Sequence, residues 1–238
     1  MKILAVQSRM GIGDTVIFLP FIKALSKKFN SPISILVKEN SKANQYLHQT
    51  KYIDKILILE RDNKTNNRHG GFFGIFKLAN DLKKYKFDKI FIFNSSLRFN
   101  LVAKISGIPQ IYQYPLFAKN KQHIIEAPKK FLKENLNLDI NEDPEVQIDN
   151  DSISKAAQKF QIDKNTTNIL LGIGGSGPTK RIPAKTFLSV IDKISNMKNC
   201  RFFLATGKAN EEQEVLNEIL QSKFKNFCTR LDLSLIHI

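Results

Sequence analysis

Short apolar runs alternate along the chain with stretches in which apolar residues recur every three or four positions. A short apolar run is typical of a buried strand, and the wider spacing is typical of a helix that buries one face. The predicted strands cover 3–6, 33–37, 55–59, 89–93, 110–114, 168–173 and 200–206, with a weak one from Phe227. The predicted helices cover 15–29, 41–47, 72–82, 127–135, 152–160, 184–196 and 211–220. A further helix carries Leu101, Val102 and Ile105, with a cap at Ser95 or Ser96 and a stop at Gly107. This alternation predicts α/β domains with parallel sheets.

Two of the predicted helices have a distinctive residue pattern. The third predicted helix has an apolar face made of Phe72, Ile75, Phe76, Ala79 and Leu82, which we expect to pack on the sheet. The last predicted helix begins after Asn210, a residue type that caps helices.

The segment from 136 to 151 is polar, contains Pro144 and has weak periodicity. We therefore predict an N-terminal domain over 1–140, a linker over 141–151 and a C-terminal domain over 152–238. Two strand–helix arrays joined by a linker predict two facing Rossmann-like domains, the second with about half the elements of the first. Residues 233–238 match a reading frame of a transposon end used in sequencing libraries, so they are either a scar or a genuine short strand.

Composition places the chain among ordinary globular proteins, with 238 residues, 42% hydrophobic and 25% charged. The sequence contains no run of about 18 apolar residues, so no membrane-spanning helix is predicted. The N-terminus enters a strand directly, without a signal segment, and Cys200 and Cys228 fit reduced core thiols, so a cytoplasmic protein is expected. The four histidines are scattered, which argues against a zinc site. Asp149-Asn150-Asp151 imitates a metal-binding Asp-x-Asp motif, but its polar setting favours a cap for the next helix.

Positive charge is concentrated in the first half of the chain. Residues 1–140 hold 24 Lys+Arg and 10 Asp+Glu, whereas residues 141–238 hold 13 and 12. The asymmetry indicates that the first half meets an anionic partner, unless it reflects only a Lys-rich composition. No nucleic-acid motif accompanies it.

The turn Gly11-Ile12-Gly13-Asp14 follows the first predicted strand and precedes a helix. Such turns lie at the carboxyl edge of parallel sheets, where α/β proteins bind ligands. The dinucleotide fingerprint needs a third glycine, and Val16 stands there instead. Asp14 is either a helix N-cap or a general base, and the two roles are compatible.

A second glycine-rich loop follows the strand predicted over 168–173. Gly172–Gly177 fits G-x-G-x-x-G, but Pro178 and Pro183 keep a helix from starting at the last glycine, and Asp192 falls inside a helix. A nicotinamide-dependent Rossmann enzyme therefore remains an alternative only. A Walker loop is excluded because Gly-Lys-Ser/Thr does not occur.

The same loop predicts a phosphate-binding site. Its exposed backbone N–H groups, the hydroxyls of Ser176 and Thr179, and the cations Lys180 and Arg181 can converge on an anion. An ordinary polar loop is the other interpretation.

These motifs together resemble the ADP-heptose:lipopolysaccharide heptosyltransferases, glycosyltransferase family 9, which have the GT-B fold. The resemblance covers nearly the whole chain. It is carried by Met1–Val6 with Gly11–Val16, by Phe87–Asn94 with Ser96-Leu97-Arg98, by Gly175–Pro183, and by Gly207 with Glu211-Glu212. Ile182 stands where the family usually has an aromatic residue.

The resemblance implies a reaction and a catalytic pair. Asp14 would be the general base that deprotonates an acceptor hydroxyl, and Lys180 would neutralise the departing diphosphate. The transfer would be inverting, would need neither a metal nor a cofactor, and would use a nucleotide sugar such as ADP-heptose as donor.

The resemblance also implies the donor-binding residues. They would be Ile12, Gly13, Gly175, Ser176, Thr179, Lys180 and one or both of Glu211 and Glu212. The acid that holds the nucleotide ribose is either Glu211 or Glu212, and the sequence does not choose.

The implied acceptor is an anionic lipid-linked saccharide of the lipopolysaccharide core, with peripheral contact to the inner membrane and no nucleic acid. The family's later Asp-Thr-Gly…His motif is absent from this sequence, so we expect a C-terminally shortened chain with weak donor binding and weak activity. A non-catalytic binder of anionic saccharide or nucleic acid remains the second alternative.

Overall fold

The computed structural model describes residues 1–8, 11–61, 67–116, 123–174, 181–207 and 209–232. These residues form two compact units, Met1–Ile148 and Asp149–Ile238. The strands of the first unit are β1 Ile3–Val6, β2 Ile33–Lys38, β3 Ile53–Leu59, β4 Lys89–Ile92 and β5 Gln110–Gln113. Its helices are α1 Ile12–Phe29, α2 Ala43–Tyr46, α3 Phe73–Lys83, α4 Leu97–Ile105 and α5 Glu126–Leu136. The predicted strands of this unit are thus confirmed to within about two residues at each end.

The five strands form one parallel sheet in the order β3-β2-β1-β4-β5. All four residues of β1 are buried, because β1 is the central strand and packed side chains cover both sheet faces. In register, Ala5 of β1 lies beside Ile35 of β2 and Phe91 of β4. The chain order reverses on either side of β1, so the turn after this strand lies at the topological switch point of the sheet.

One face of this sheet is covered by α1 and α5 through an aromatic cluster. Phe93 packs edge-on against Phe18 and Phe131, with ring centroids 5.4 Å apart in both pairs. Edge-to-face packing of this kind adds roughly 0.5–1.5 kcal/mol per pair beyond the burial itself. The cluster fixes α1, and with it the turn that precedes α1.

Helices α3 and α4 cover the other face, and one sequence prediction about them is wrong. Ile75, Ala79 and Leu82 are buried as expected, but Phe72 and Phe76 are 69% and 47% exposed. Leu78 lies in the core instead, because the helix is rotated so that its buried stripe runs through Ile75, Leu78, Ala79 and Leu82.

Residues 141–148, predicted as the start of a linker, lie on the first unit. Glu142 forms ion pairs with Lys23 (3.1 Å) and Lys27, and the backbone N–H of Lys51 donates to Gln147 Oε1 (2.9 Å). The Tyr52 hydroxyl also donates to the backbone oxygen of Glu145 (3.4 Å). This segment is therefore held by α1 and by the residues that precede β3.

The second unit has one three-stranded parallel sheet in the order β6-β7-β8 among the residues described. Its strands are β6 Thr167–Gly172, β7 Cys200–Thr206 and β8 Cys228–Asp232, and its helices are α6 Asn150–Lys159, α7 Ala184–Ser195 and α8 Asn210–Leu220. The Asp149 side chain caps α6 by accepting from the backbone N–H of Ser152 at 2.6 Å, which confirms the capping interpretation of the Asp-x-Asp segment. The N-cap of α8 is Ala209, so the prediction that Asn210 caps this helix is wrong by one residue.

Candidate active site

The first group of candidate residues lies at the turn from β1 into α1. Gly11 is the N-cap of α1 with φ of 106°, a conformation that glycine adopts easily and L side chains rarely adopt. Because this turn starts the helix at Ile12, Asp14 is not the N-cap but the third helical residue. The positive end of the helix dipole favours a negative charge at this position.

The backbone around Asp14 is fixed by two polar side chains. Thr15, which is buried, donates from its hydroxyl to the backbone oxygen of Gly11 at 3.1 Å. Gln7, 3% exposed at the end of β1, donates from its amide to the backbone oxygen of Asp14 at 3.3 Å. Within the described residues, no side chain donates to the Asp14 carboxylate, which is partly exposed. The carboxylate is thus held on a rigid turn and is accessible to a substrate hydroxyl.

A polar network continues from this turn along the carboxyl edge of the sheet. The Asn94 amide, just after β4, donates to the Ser8 hydroxyl at 2.7 Å, and its oxygen accepts from the backbone N–H of Ser96 at 2.9 Å. Gln113, at the end of β5, donates to the backbone oxygens of Asn94 (3.1 Å) and Ser96 (2.9 Å). The loops after three neighbouring strands are therefore bound to one another.

Sequence reasoning missed Gln7 and Gln113 as parts of the site. The sequence signal for both residues was an amide at the carboxyl end of an apolar strand. Carboxyl ends of parallel strands meet at one edge of a sheet, and this proximity appears only once the strand order is known.

A cavity of about 320 Å³ lies farther along this edge, where β2 and β3 end. Its polar lining comes from Glu39, Lys42, Asn44, Gln45 and Glu60. Such mixed charged and amide groups suit the hydroxyls of a saccharide, which both donate and accept hydrogen bonds.

A buried histidine anchors the loop between β3 and α3. His69 is 3% exposed, and its Nδ1 accepts from the backbone N–H of Glu60 at 3.0 Å. The ring proton therefore sits on Nε2, which donates to Asp81 Oδ2 at 3.1 Å. Burial acts to raise the pKa of Asp81, but hydrogen bonds from His69 and Arg68 outweigh it and the pKa is lowered. This cluster stabilises the loop between β3 and α3.

A second group of candidate residues lies in the other unit, where β6 and β7 end. Glu212 on α8 accepts from the backbone N–H of Gly207 at 2.7 Å. A Cβ added at Gly174 would lie 3.0 Å from Glu212 Oε1, and one at Gly207 would lie 2.6 Å from Oε2. The Glu212 carboxylate therefore sits between the loops that follow two neighbouring strands.

The neighbouring acid has a different position. Glu211 forms an ion pair with Arg181 at 3.4 Å, and its side chain is 55% exposed. Ile12 and Gly13 are exposed in the first turn of α1. The remaining predicted donor-binding residues, Gly175, Ser176, Thr179 and Lys180, lie outside the described residues.

Two findings bear on metal and membrane. Among the residues described, no group of three or more His, Cys, Asp or Glu side chains is placed to hold a metal ion. Within the same residues, no helix has both the length and the apolar character needed to cross a membrane.

Solved structures with a similar fold include three glycosyltransferases. A glycosyl transferase family 9 protein from Veillonella parvula has a TM-score of 0.75 and 18% identity, over 96% of this chain and 69% of that chain. E. coli ADP-heptose lps heptosyltransferase II has a TM-score of 0.69 and 17% identity, over 98% and 72%. E. coli heptosyltransferase WaaC with ADP-2-deoxy-2-fluoro heptose has a TM-score of 0.64 and 14% identity, over 97% and 76%. No curated protein matches the sequence in a direct search.

The two parallel α/β units and these structural neighbours define a protein of the GT-B class. The family model for glycosyltransferase family 9 (heptosyltransferase) matches residues 75–237, more than half of the chain. The chain belongs to this family, and the resemblance found in its motifs is confirmed. It is a glycosyltransferase, which removes the main support for a nicotinamide-dependent enzyme or a non-catalytic binder.

Proposed function

We propose that this glycosyltransferase moves a heptose from ADP-heptose to an anionic saccharide of the lipopolysaccharide core. The transfer is an inverting single displacement that requires no metal and no cofactor. The observation that carries the proposal is the placement of Asp14, an accessible carboxylate on the first turn of α1 at the switch point of the sheet. That is the point where α/β sheets bind their ligands.

Asp14 serves as the general base of this reaction. It takes the proton of the acceptor hydroxyl as the hydroxyl oxygen attacks the anomeric carbon and the bond to the diphosphate breaks. Gln7 and Thr15 hold the turn through its backbone, so the carboxylate does not depend on its own hydrogen bonds for its position. Positioned bases of this type contribute about 10²–10⁴ in rate.

Most of the proposed donor-binding residues lie in the second unit. Lys180 neutralises the leaving diphosphate, and Gly175, Ser176 and Thr179 bind the phosphates. In the first unit, Ile12 and Gly13 are further donor-binding residues. We assign the ribose contact to Glu212, because its carboxylate lies between the loops after β6 and β7. Glu211 is engaged with Arg181 and is directed to solvent.

The first unit is the proposed binding site for the acceptor, because its positive charge suits an anionic saccharide. Its excess of Lys and Arg suits phosphate and carboxylate groups, and the cavity of Glu39 and Gln45 offers hydrogen bonds to sugar hydroxyls. A lipid-linked acceptor implies a cytoplasmic protein in peripheral contact with the inner membrane.

The proposal is tested by incubating the purified chain with ADP-heptose and a core saccharide that lacks heptose, with ADP release as the measurement. We expect Asp14→Asn to lower kcat by about 10²–10⁴ with little change in the KM for the donor. Activity should persist in a chelator, and NMR should show a product with inverted anomeric configuration. Calorimetric titration of donor and acceptor separates binding from turnover. Full turnover by Asp14→Asn, loss of activity on chelation, or no binding of either substrate would contradict the proposal.

A further inference from the structure

Three phenylalanines at the start of α3 are exposed on the surface of the first unit. Phe72, Phe73 and Phe76 are 69%, 76% and 47% exposed, although the chain buries most of its large apolar side chains. Their rings contact one another, with centroids 6.0 Å apart for Phe72–Phe73 and 5.6 Å apart for Phe72–Phe76. We call these three residues the phenylalanine patch. Contiguous apolar surface of this kind marks an interaction site more often than scattered single residues do.

Helix α4 adds a second apolar line beside this patch. Leu97, Leu101 and Ile105 are 41%, 37% and 44% exposed, and their spacing of four places them on one side of the helix. Arg98 joins the two helices, since its guanidinium donates to the backbone oxygens of Gly71 (2.7 Å) and His69. The start of α3 is thereby held against the first turn of α4, and the exposed apolar residues belong to one rigid pair of helices.

The surroundings of the phenylalanine patch are strongly basic. Residues 67–86 and 95–106 hold seven Lys+Arg and a single acid, Asp81. That acid is engaged with His69, Arg68 and Lys84 at the base of the loop. Lys77 on α3 and Lys104 on α4 are both exposed. In the described part of this region, the surface thus combines aromatic rings with an excess of basic over acidic groups.

We propose that the phenylalanine patch and the lysines around it dock this protein on an anionic lipid bilayer. Aromatic and aliphatic side chains insert at the boundary between headgroups and acyl chains, while lysines approach the negative headgroups. A second copy of the chain is a poorer occupant, because a two-fold contact would bring the same basic surface against itself.

The docking places the site at the bilayer. Phe72, Phe73 and Leu97 stand where α3 and α4 begin, and these helices begin at the carboxyl edge of the sheet, as α1 does with Asp14. A bilayer on the phenylalanine patch would therefore lie beside the edge that receives the acceptor. This consequence rests on the proposed lipid-linked acceptor, whereas binding to lipid does not depend on it.

The test is co-sedimentation of the full chain with phosphatidylcholine vesicles that contain or lack phosphatidylglycerol, without any donor. We expect binding only to the anionic vesicles, weakening as salt is added. The double variant Phe72→Ser/Phe73→Ser should bind these vesicles about tenfold or more weakly, because two inserted rings are lost. Lys77→Gln/Lys104→Gln should weaken binding on anionic vesicles and reduce its dependence on salt.

The matched controls are Phe227→Ser, a phenylalanine 44% exposed in the second unit, and Lys225→Gln beside it. Both should bind vesicles as the unchanged chain does. Equal binding by the phenylalanine double variant, or equal binding to neutral vesicles, would overturn the inference. So would sedimentation equilibrium showing a dimer that the double variant abolishes, with no vesicle binding by the unchanged chain.

Vesicle binding and sugar transfer can be measured separately, so the docking surface and the proposed reaction are tested independently. Sugar transfer to a delipidated, water-soluble acceptor by the Phe72→Ser/Phe73→Ser variant should equal that of the unchanged chain. Transfer without vesicle binding would refute the docking surface alone. Vesicle binding without transfer would refute the proposed reaction alone.

Discussion

The carboxylate of Glu212 accepts a hydrogen bond from the backbone N–H of Gly207 at 2.7 Å. Glu212 is the third residue of α8 and Gly207 directly follows β7, so one side chain joins the helix to the loop that precedes it. Its other oxygen faces Gly174 in the loop after β6. The Glu212 carboxylate therefore lies between the loops that follow β6 and β7.

The two adjacent acids of α8 should differ in donor binding. We expect Glu212→Gln to weaken ADP binding about tenfold or more, equal to about 1.4 kcal/mol, because the charged acceptor for the ribose is lost. The glutamine oxygen can still accept from Gly207, so stability should change little. The matched variant Glu211→Gln should change affinity less than about twofold, since an exposed ion pair contributes little. Calorimetric titration with ADP measures both, and an equal effect of the two variants would refute the assignment.

Gly74 should tolerate no side chain. A Cβ there would lie 2.3 Å from the carbonyl carbon of His69 and 2.9 Å from Arg98 Nη2, contacts that cannot form without moving the loop. We expect Gly74→Ala to lower the free energy of unfolding by about 1–3 kcal/mol, as overpacking does.

Gly13→Ala is the control for that variant, because a Cβ at Gly13 meets nothing within 4 Å inside helix α1. This change should leave stability equal or raise it by up to about 1 kcal/mol, through helix propensity. Urea denaturation measures both variants, and unchanged stability of Gly74→Ala would show that the His69 loop moves freely.

Asp81 should make stability depend on acid pH. Its pKa is lowered from 3.8, because hydrogen bonds from His69 and Arg68 outweigh the effect of burial. A lowered pKa means that the stabilisation is full above the unfolded value and is lost as pH falls below it. Asp81→Asn should therefore cost about 1–2 kcal/mol near neutral pH, with the difference from the unchanged chain shrinking below about pH 4.

Thermal unfolding across this pH range tests the Asp81 prediction. The control is Asp139→Asn, whose carboxylate is 70% exposed and paired only with Lys133 among the described residues, and which should have a much smaller effect. A constant difference between Asp81→Asn and the unchanged chain at all pH values would show that the carboxylate charge is not what holds the loop.

Tyr52 should ionise at a higher pH than an ordinary tyrosine. Burial, together with the nearby charges of Glu145 and Glu142, raises the pKa of Tyr52 from 10.0 to about 12. A raised pKa favours the protonated form, so its contribution to stability is full below pH 10 and is lost as pH rises toward 12. Absorbance titration of the phenolates should lose a component near pH 12 in Tyr52→Phe, and this variant should resist alkaline unfolding better. A titration curve unchanged by the substitution would contradict the burial of this hydroxyl.

Local pattern decided most of the element boundaries. The run Ile3–Val6 and the run Cys200–Thr206 are strands as predicted, because an apolar run with no helical spacing buries both faces only in a sheet. The start of α1 was set three residues too late, since Gly11 supplies a turn with φ of 106° that the residue pattern does not reveal. The acidic turn at Asp14 was nevertheless found, because a strand, two glycines and a helix are adjacent in sequence.

Only the tertiary structure decided which residues of a helix are buried and which neighbours its side chains contact. Consecutive residues of a helix point about 100° apart. Glu212 therefore lies beside Gly207, whereas the adjacent Glu211 lies beside Arg181. The same freedom put Leu78 into the core and left Phe72 and Phe76 outside. The sequence determined that this chain is a family 9 glycosyltransferase with an acid at its first turn. The rotation of each helix was decided by packing against residues distant in the chain, and this rotation fixes the different positions of Glu211 and Glu212 and the exposure of the phenylalanine patch.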